Sequence, residues 1–279
     1  MTLPDPSSFP DPASFIAAGQ SAEVYRLDGG RVIKLFHAGV DTAIIAREHG
    51  IGRVVQASGL PVPRVFGLDE AGERQGIIYS ELSGPNLLAY IARHPHRTGW
   101  ALGQMAQLQQ HIQACHTPSL RSRKAIILED IEAAPIGERL RAAAIDRLEQ
   151  LNEGDRLTHG DLHPGNLIVT PDGVSVIDWS RAACGTIATD LVRTEMLMRF
   201  GPGRAGQDVG WIEAAMRDVA SCWYLRRYRA GTGLDAEALT AWRPLVALAW
   251  MRQRAPVREA AFAAYLAEAL RVAGLPPID

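Results

Sequence analysis

Lysine is nearly missing from this 279-residue chain. Of 29 basic residues only Lys34 and Lys124 are lysines. A lone lysine in so arginine-rich a background raises the question of its role, although base composition alone also produces arginine prevalence. Cysteine is scarce too. Cys115, Cys184 and Cys222 are odd in number and far apart, which argues against a disulfide framework or a zinc knuckle and for a reduced, cytoplasmic setting. No uninterrupted apolar stretch approaches the ~20 residues needed to span a bilayer. The N-terminus, MTLPDPSSFPDPASF, lacks the basic start and apolar run of a signal peptide. No charge excess exists either: 29 basic against 31 acidic residues leave −2, so no global field favours nucleic acid or an anionic membrane. There is no internal repeat. The remainder is ordinary for a globular chain, with 47% hydrophobic and 22% charged residues, and is long enough for one large domain or two lobes.

Residues 1 to about 12 are rich in Pro and Ser and read as a loose arm. Glu23–Leu27 and Arg31–Phe36 alternate as strands around Asp28-Gly29-Gly30, a hairpin signal. Asp41 is placed to cap a helix running to about Ser58, with Ile44, Ile45, Ile51, Val54 and Val55 on its apolar side. Gly59 stops that helix, and Pro61 and Pro63 keep the chain extended. Arg64–Leu68 and Gln75–Ser80 read as strands around a turn at Asp69–Gly72. After Gly84 the texture becomes helical, over Asn86–Arg93, Thr98–His116 and Gly137–Leu151. A small β island follows: Arg156–Thr158, Asn166–Thr170, a turn at Pro171-Asp172-Gly173, and Val174–Asp178. From Thr189 onward the chain is Ala-, Leu- and Arg-rich and reads as helix. The pattern predicts an α+β protein of two lobes: a β-rich N-terminal lobe over 1–84 and a mainly helical lobe over 85–279. The natural ligand site is a cleft between them.

The densest chemistry lies in His159-Gly160-Asp161-Leu162-His163-Pro164-Gly165-Asn166, followed by Val176-Ile177-Asp178-Trp179. A carboxylate and a carboxamide stand five positions apart across Pro and Gly, and a second carboxylate ends an apolar strand twelve residues later. Phosphoryl transfer needs an acceptor for the nucleophile's proton and oxygen ligands for a hard cation that bridges phosphates. Asp161, Asn166 and Asp178 supply that set if the two strands pair. The plain alternative is an ordinary turn and strand end. His159 and His163 read as residues that hold the loop by hydrogen bonds. They are not metal ligands at this spacing without a third soft partner.

HGDLHPGN with IDW resembles the catalytic loop and metal-binding motif of the aminoglycoside phosphotransferase and choline kinase family, a protein-kinase-like fold. The pair is similar to the H-R-D-x-x-x-x-N and D-F-G motifs of protein kinases. Gly160 replaces the arginine and Trp179 the phenylalanine, and both departures favour the small-molecule branch. The resemblance implies further roles. Lys34, in VIKLF, matches the lysine that holds the α- and β-phosphates. Glu48, on the following helix, matches its glutamate partner. Gly19 and Ser21 fall in the segment matching the phosphate-covering loop. Tyr79, Glu81 and Leu82 fall in the hinge whose backbone meets the purine. Asp190 matches an aspartate that braces the catalytic loop.

The function this implies is transfer of the γ-phosphoryl group of ATP or GTP to a hydroxyl of a small molecule, with Mg²⁺ on Asn166 and Asp178 and with Asp161 as base. A protein kinase is the alternative, but only eleven residues lead from Asp178 to Thr189, and no A-P-E motif follows. A catalytically silent nucleotide-binding scaffold is the other. From Asp190 to Asp279 ten Asp and Glu face twelve Arg, which argues against a polycationic acceptor. Trp211, Trp223, Tyr224, Tyr228, Trp242 and Trp250 recur at helical intervals and read mainly as core. Trp223, Tyr224 and Tyr228 are also candidates to stack on a sugar or a single quaternary ammonium.

Overall fold

The computed structural model describes residues 11–201, 209–252, 256 and 258–278. Residues 1–10 of the expected arm lie outside the described residues, and a single 3-10 turn begins at Pro12. In chain order the elements are β1 (Phe15–Ala18), β2 (Ala22–Leu27), β3 (Arg31–Phe36), α1 (Thr42–Ala57), β4 (Val65–Ala71), β5 (Arg74–Ser80) and α2 (Leu87–Arg93). Then come α3 (Thr98–Ala114), α4 (Arg123–Glu132), α5 (Glu138–Glu149), β6 (Arg156–Thr158), β7 (Leu167–Thr170), β8 (Gly173–Val176) and β9 (Ala183–Gly185). The last four are helices: α6 (Ile187–Phe200), α7 (Trp211–Thr232), α8 (Ala236–Trp250) and α9 (Glu259–Ala273). The chain divides into two compact units, residues 1–90 with 165–180, and residues 91–164 with 181–279.

The first unit is an antiparallel sheet in the order β1-β2-β3-β5-β4. Alternation along β3 sends Ile33 and Leu35 to one face, where they pack with Tyr25 and Ile78. The opposite parity sends Phe36 to the other face, with Ala22, Ile45 and Ile77. Helix α1 lies on that second face. The Asp41 carboxylate accepts from the Ala43 amide at 2.8 Å and caps it. Ile45, Glu48, Ile51, Gly52 and Val55 are its buried residues. Ile44 was expected on the apolar side and is instead exposed, in the first turn of the helix, although its angle falls within that stripe. The β4–β5 turn comes two residues later than expected, at Gly72-Glu73, since the ladder continues through Ala71↔Arg74.

The hairpin β7–β8 belongs to this unit although it comes some 75 residues after α2. Its register is Leu167↔Val176 through Thr170↔Gly173. Two bonds tie it down: the Val169 amide donates to Pro85 O at 2.9 Å, and the Val176 amide to Pro61 O at 2.8 Å. The backbone passes so closely at Gly84 (φ +149°) that a Cβ there would collide with the Val169 carbonyl.

The second unit is helical, with β6 and β9 paired antiparallel at its centre. Helix α4, capped by Ser122, and the short strands β1 and β9 were not expected from the sequence. Of the six aromatics expected mainly in the core, Tyr224, Tyr228, Trp242 and Trp250 are buried, whereas Trp211 and Trp223 are exposed. Burial of Tyr224 and Tyr228 removes them as stacking surfaces for a ligand.

Gly84→Ala adds both left-handed strain and a backbone collision. It is expected to lower unfolding free energy by about 2–4 kcal/mol, read as a lower urea midpoint at unchanged slope. A loss below about 0.5 kcal/mol would show that the hairpin is not held where described.

Candidate functional site

In the first unit, β3 puts Lys34 opposite Val24 on β2 and Ile77 on β5, on the Phe36 face that α1 covers. Glu48 follows Ile45 by three residues, so the helix turns it towards the same face. The Lys34 ammonium lies 2.7 Å from Glu48 Oε1 and 3.2 Å from Asp178 Oδ1, and 5.6 Å from the centre of the Phe36 ring. Burial works to lower the Lys34 pKa, but the Asp178 and Glu48 carboxylates outweigh it and hold the ammonium above its usual value. Burial pushes the Glu48 carboxyl up, and the attraction of Lys34 offsets only part of that.

Asp178 and Asn166 come from the base of the β7–β8 hairpin. The Ile177 amide donates to Asn166 O at 3.0 Å, which sets Asn166 across from Ile177 and beside Asp178. The Trp179 indole N–H, donating to Val176 O at 3.3 Å, pins the chain just beyond. Asp178 has φ +58°, and among the described residues every other positive-φ position is a glycine. Its carboxylate with the Asn166 carboxamide makes an all-oxygen donor pair, which fits a hard cation that completes its shell with phosphate and water. Among the described residues no cluster of three or more His, Cys, Asp and Glu is arranged around a common point.

Gly19 and Ser21 sit in the exposed β1–β2 turn, where Gly19 N donates to Ala22 O and His37 N donates to Ser21 O. Tyr79 packs against the Phe36 cluster, and burial, with Glu48 and Asp178 adding to it, raises its phenol pKa far above the normal range. The amides of Ser80 and Glu81 already donate within the sheet, to Arg64 O and Gly30 O. The Glu81 carboxylate pairs with Arg26 at 2.8 Å. Leu82, half-buried, follows the strand.

The second unit carries the other cluster. Residues 159–164 leave β6 as a loop, with His159 fully buried and Asp161 nearly so. The Asp161 amide donates to His159 Nδ1 at 3.2 Å, so the ring proton resides on Nε2. His163 is half-buried. Gly160 (φ +76°) is gripped from both sides: its N–H donates to Asp190 Oδ1 at 2.7 Å, and its carbonyl accepts from Arg193 Nε at 2.8 Å. Asp190 lies in the first turn of α6 and is almost completely buried. Its second oxygen accepts from Gln109 Nε2 at 2.9 Å and Gln113 Nε2 at 3.0 Å. Gln113 in turn accepts from the Tyr228 hydroxyl.

Arg123 closes the roof. It donates to Thr158 Oγ1 and to Arg181 O, the latter at 2.6 Å. A side chain at residue 160 would collide with its guanidinium. Burial lowers the pKa of Arg123.

Arg123, Arg193, Gln109 and Gln113 were not singled out from the sequence, and Tyr228 was read as a core or stacking aromatic rather than as a brace of the loop. Gln109 and Gln113 did leave a trace, as an i, i+4 polar pair beside Leu108 and Ile112 on the apolar face of α3. Arg193 left a weaker one, at i+3 from Asp190. Arg123 left none, because its helix was not foreseen.

A family model described as the phosphotransferase enzyme family (APH) matches residues 12–254. No curated protein sequence matches the chain. Solved structures do. An aminoglycoside-3′-phosphotransferase of type VIII is 19% identical over 84% of this chain and 93% of its own, with a TM-score of 0.59. An amicoumacin kinase, solved in complex with AMP-PNP, Ca²⁺ and Ami, is 15% identical over 94% and 89%, with a TM-score of 0.57. A choline/ethanolamine kinase family protein from Mesorhizobium loti is 13% identical over 94% and 88%, with a TM-score of 0.58. The fold is therefore the protein-kinase-like one these structures share, an antiparallel sheet followed by a helical region. By the match over most of its length, the chain belongs to the phosphotransferase enzyme family.

Proposed function

We propose that this phosphotransferase moves the γ-phosphoryl group of ATP, or of GTP, to a hydroxyl of a small molecule. The observation that carries the reading is the Lys34–Glu48–Asp178 cluster, with Glu48 buried and Asn166 at the base of the same hairpin as Asp178. In this reading residues 1–84 serve the nucleotide and 85–279 serve catalysis and the acceptor. Lys34, oriented by Glu48, holds phosphate oxygens. Gly19 and Ser21 supply a turn that covers them, and the purine edge meets backbone from Tyr79 to Leu82. Since Ser80 and Glu81 already donate within the sheet, Leu82 offers the amide.

Asn166 and Asp178 would hold Mg²⁺, which when bound neutralises phosphate charge. Asp161 receives the hydroxyl proton as the acceptor oxygen bonds to phosphorus. The bond from phosphorus to the β,γ-bridging oxygen breaks, and the nucleoside diphosphate leaves with the electron pair. His159, His163 and Asp190 keep the loop in place. Only Leu162, His163 and Pro164 separate Asp161 from Gly165, where the chain enters the other unit.

Two features favour a small acceptor over a protein. Only residues 179–186 lie between Asp178 and α6, and Ala183–Gly185 of these are strand β9, which leaves no length for a peptide-binding activation segment. The solved relatives named above also include kinases of small molecules. A cytoplasmic setting agrees with three free thiols, and among the described residues no helix is long and apolar enough to cross a membrane.

The described carboxylates of the C-terminal helices are largely engaged. Glu195 is held by Arg199 and Arg243, Asp218 by Arg199 and Arg258, Glu213 by Arg217, and Glu268 by Arg271. Asp190 braces the loop, and Asp235 caps α8. Asp208 and Asp279 lie outside the described residues. A polyamine needs a carboxylate partner for each desolvated ammonium, so the acceptor class proposed is a neutral or anionic alcohol, or a monocation.

Two variants separate chemistry from binding. Asp161→Ala is expected to lower kcat by ~10²–10⁴ while nucleotide affinity holds. Asp178→Ala is expected to lose Mg²⁺-dependent nucleotide binding, measured by titration with a non-hydrolysable analogue, whereas Asn166→Ala, which removes a neutral ligand, loses less. Near-wild-type kcat in Asp161→Ala, or normal metal and nucleotide binding in Asp178→Ala, overturns the assignment.

Kanamycin, gentamicin and neomycin are expected to be poor acceptors at saturating ATP and Mg²⁺. Turnover of any of them with kcat/KM above roughly 10⁴ M⁻¹s⁻¹, the low end for natural substrates, refutes the acceptor class.

A further inference from the structure

Helix α7 carries an apolar stripe that the other described residues leave largely uncovered, with only Trp223 mostly covered. Ile212, Met216, Val219 and Trp223 are 57%, 65%, 69% and 38% exposed, and Trp211 beside them is 81% exposed. Their spacing of four, three and four residues aligns the first four on one side of the helix, as in a coiled-coil seam. Ala215 and Cys222, also exposed, flank the same stripe, and Arg226 extends it. The opposite side of α7 buries Ser221, Tyr224 and Tyr228, so the stripe is not a misread core face.

The stripe lies away from the catalytic loop. Gln113 bonds both Asp190 and Tyr228, which places the loop's brace near the C-terminal half of α7. Arg217, in the N-terminal half, donates to Gly201 O at the far end of α6. Asp190 and Gly201 are eleven helical residues apart, roughly 16 Å at 1.5 Å each.

The exposed parts of these five side chains amount to roughly 600 Å², at the top of the range for the largest apolar patch on a monomer. We propose that α7 is a homodimer interface, in which two copies of this chain pair their stripes antiparallel about a two-fold axis. The stripe is self-complementary in that arrangement. With the axis between Met216 and Val219, Met216 meets the partner's Val219, and Ile212 meets the partner's Trp223. Trp211 then falls on the same flank as the partner's Arg226, a cation for an indole face.

Charge follows the same symmetry. Arg226, Arg227 and Arg229 lie at the C-terminal end of α7 and Glu213 in its first turn, so antiparallel pairing sets the basic end near the acidic one. Complete burial of the five side chains in both copies removes roughly 1,200 Å² in total, the lower bound of a specific interface, and Ala215, Cys222 and Arg226 add theirs. A membrane surface suits the stripe less well. A helix lying on lipid presents basic residues along its polar face, whereas here the arginines cluster at one end, and Glu213 and Asp218 flank the apolar half.

Sedimentation velocity of the full chain at roughly 1–50 µM, a range that resolves a micromolar dimer, decides the matter. Wild type is expected at twice the 30.3 kDa chain mass. Met216→Glu and Val219→Glu are each expected at the single-chain mass. Both positions are exposed on a helix that accepts glutamate, so unchanged thermal melts monitored by circular dichroism are expected as well. If one variant fails to fold, the other decides.

A wild type that stays monomeric through that range overturns the proposal, as does dimer persisting in both folded variants. Cosedimentation with vesicles of equal parts phosphatidylcholine and phosphatidylserine is run alongside. Binding by a monomeric wild type, lost in Val219→Glu, overturns the dimer in favour of a lipid surface.

Discussion

The Lys34 ammonium, drawn out of water between two carboxylates, is the constraint around which the first unit is arranged. A lone buried ammonium loses several kcal/mol of hydration, and only close, well-oriented anions restore it. Glu48 and Asp178 meet that demand at 2.7 and 3.2 Å, but from segments far apart in the sequence. Helix α1 delivers the first and hairpin β7–β8 the second. The hairpin can do so only if it is fixed to the N-terminal sheet, which explains the bonds to Pro61 and Pro85 and the close pass at Gly84. Removing one partner of such a group typically destabilises by about 3–5 kcal/mol, because the remaining charges stay buried. The binding role proposed for Lys34 and its part in fold stability are therefore not separable. A phosphate that displaces Asp178 from the ammonium would exchange one anion for another and free the carboxylate for a cation.

The second unit solves a different problem, that of holding a loop without regular structure. A loop cannot satisfy its own backbone polar groups when it is buried, and the peptide groups flanking Asp161 are buried. Gly160 has both its N–H and its carbonyl matched to charged side chains three residues apart on α6. The carboxylate of Asp190 is itself saturated by Gln109 and Gln113 on α3, and Gln113 is anchored by Tyr228 on α7. Arg193 stacks over Trp250 on α8 at 5.4 Å. Four helices thus converge on one peptide, which accounts for how many polar residues are buried inside an otherwise apolar bundle.

The elements that could be read from sequence are those with a local cause. The β2–β3 hairpin, the Asp41 cap and the Gly59 stop each follow from the residues present, and HGDLHPGN and IDW stand together in the chain. Lys34 stood out because almost every other cation is an arginine. What could not be read depends on long-range packing. Strand β1 is exposed throughout and shows no alternation. Strand β9 is three residues long and exists because β6 is there to pair with it. Arg123 sits on α4, where nothing local marks it as buried, and it reaches Thr158 and Arg181 only after the fold forms. Aromatic spacing on α7 was legible as helical, but not which side faces inward. That depends on α3 and α6, and it buries Tyr224 and Tyr228 while leaving Trp211 and Trp223 outside.

Gly160 and Asp178 meet the same backbone demand in different ways. Both positions are left-handed, at φ +76° and +58°. At residue 160 a side chain would strike Arg123, so glycine meets the strain and the steric limit together. At residue 178 a glycine would meet the same backbone demand with less strain, yet a carboxylate stands there, the one non-glycine among the described positive-φ residues. Left-handed backbone at a non-glycine residue costs of order 1–3 kcal/mol, and Asp is among the side chains that bear it best. Part of the return is structural, through the Lys34 contact. That contact is the longer of the two that Lys34 makes, and it leaves the Asp178 side chain partly exposed. A carboxylate in that conformation is in keeping with the cation-holding role proposed for Asp178 together with Asn166, in addition to its structural contact with Lys34.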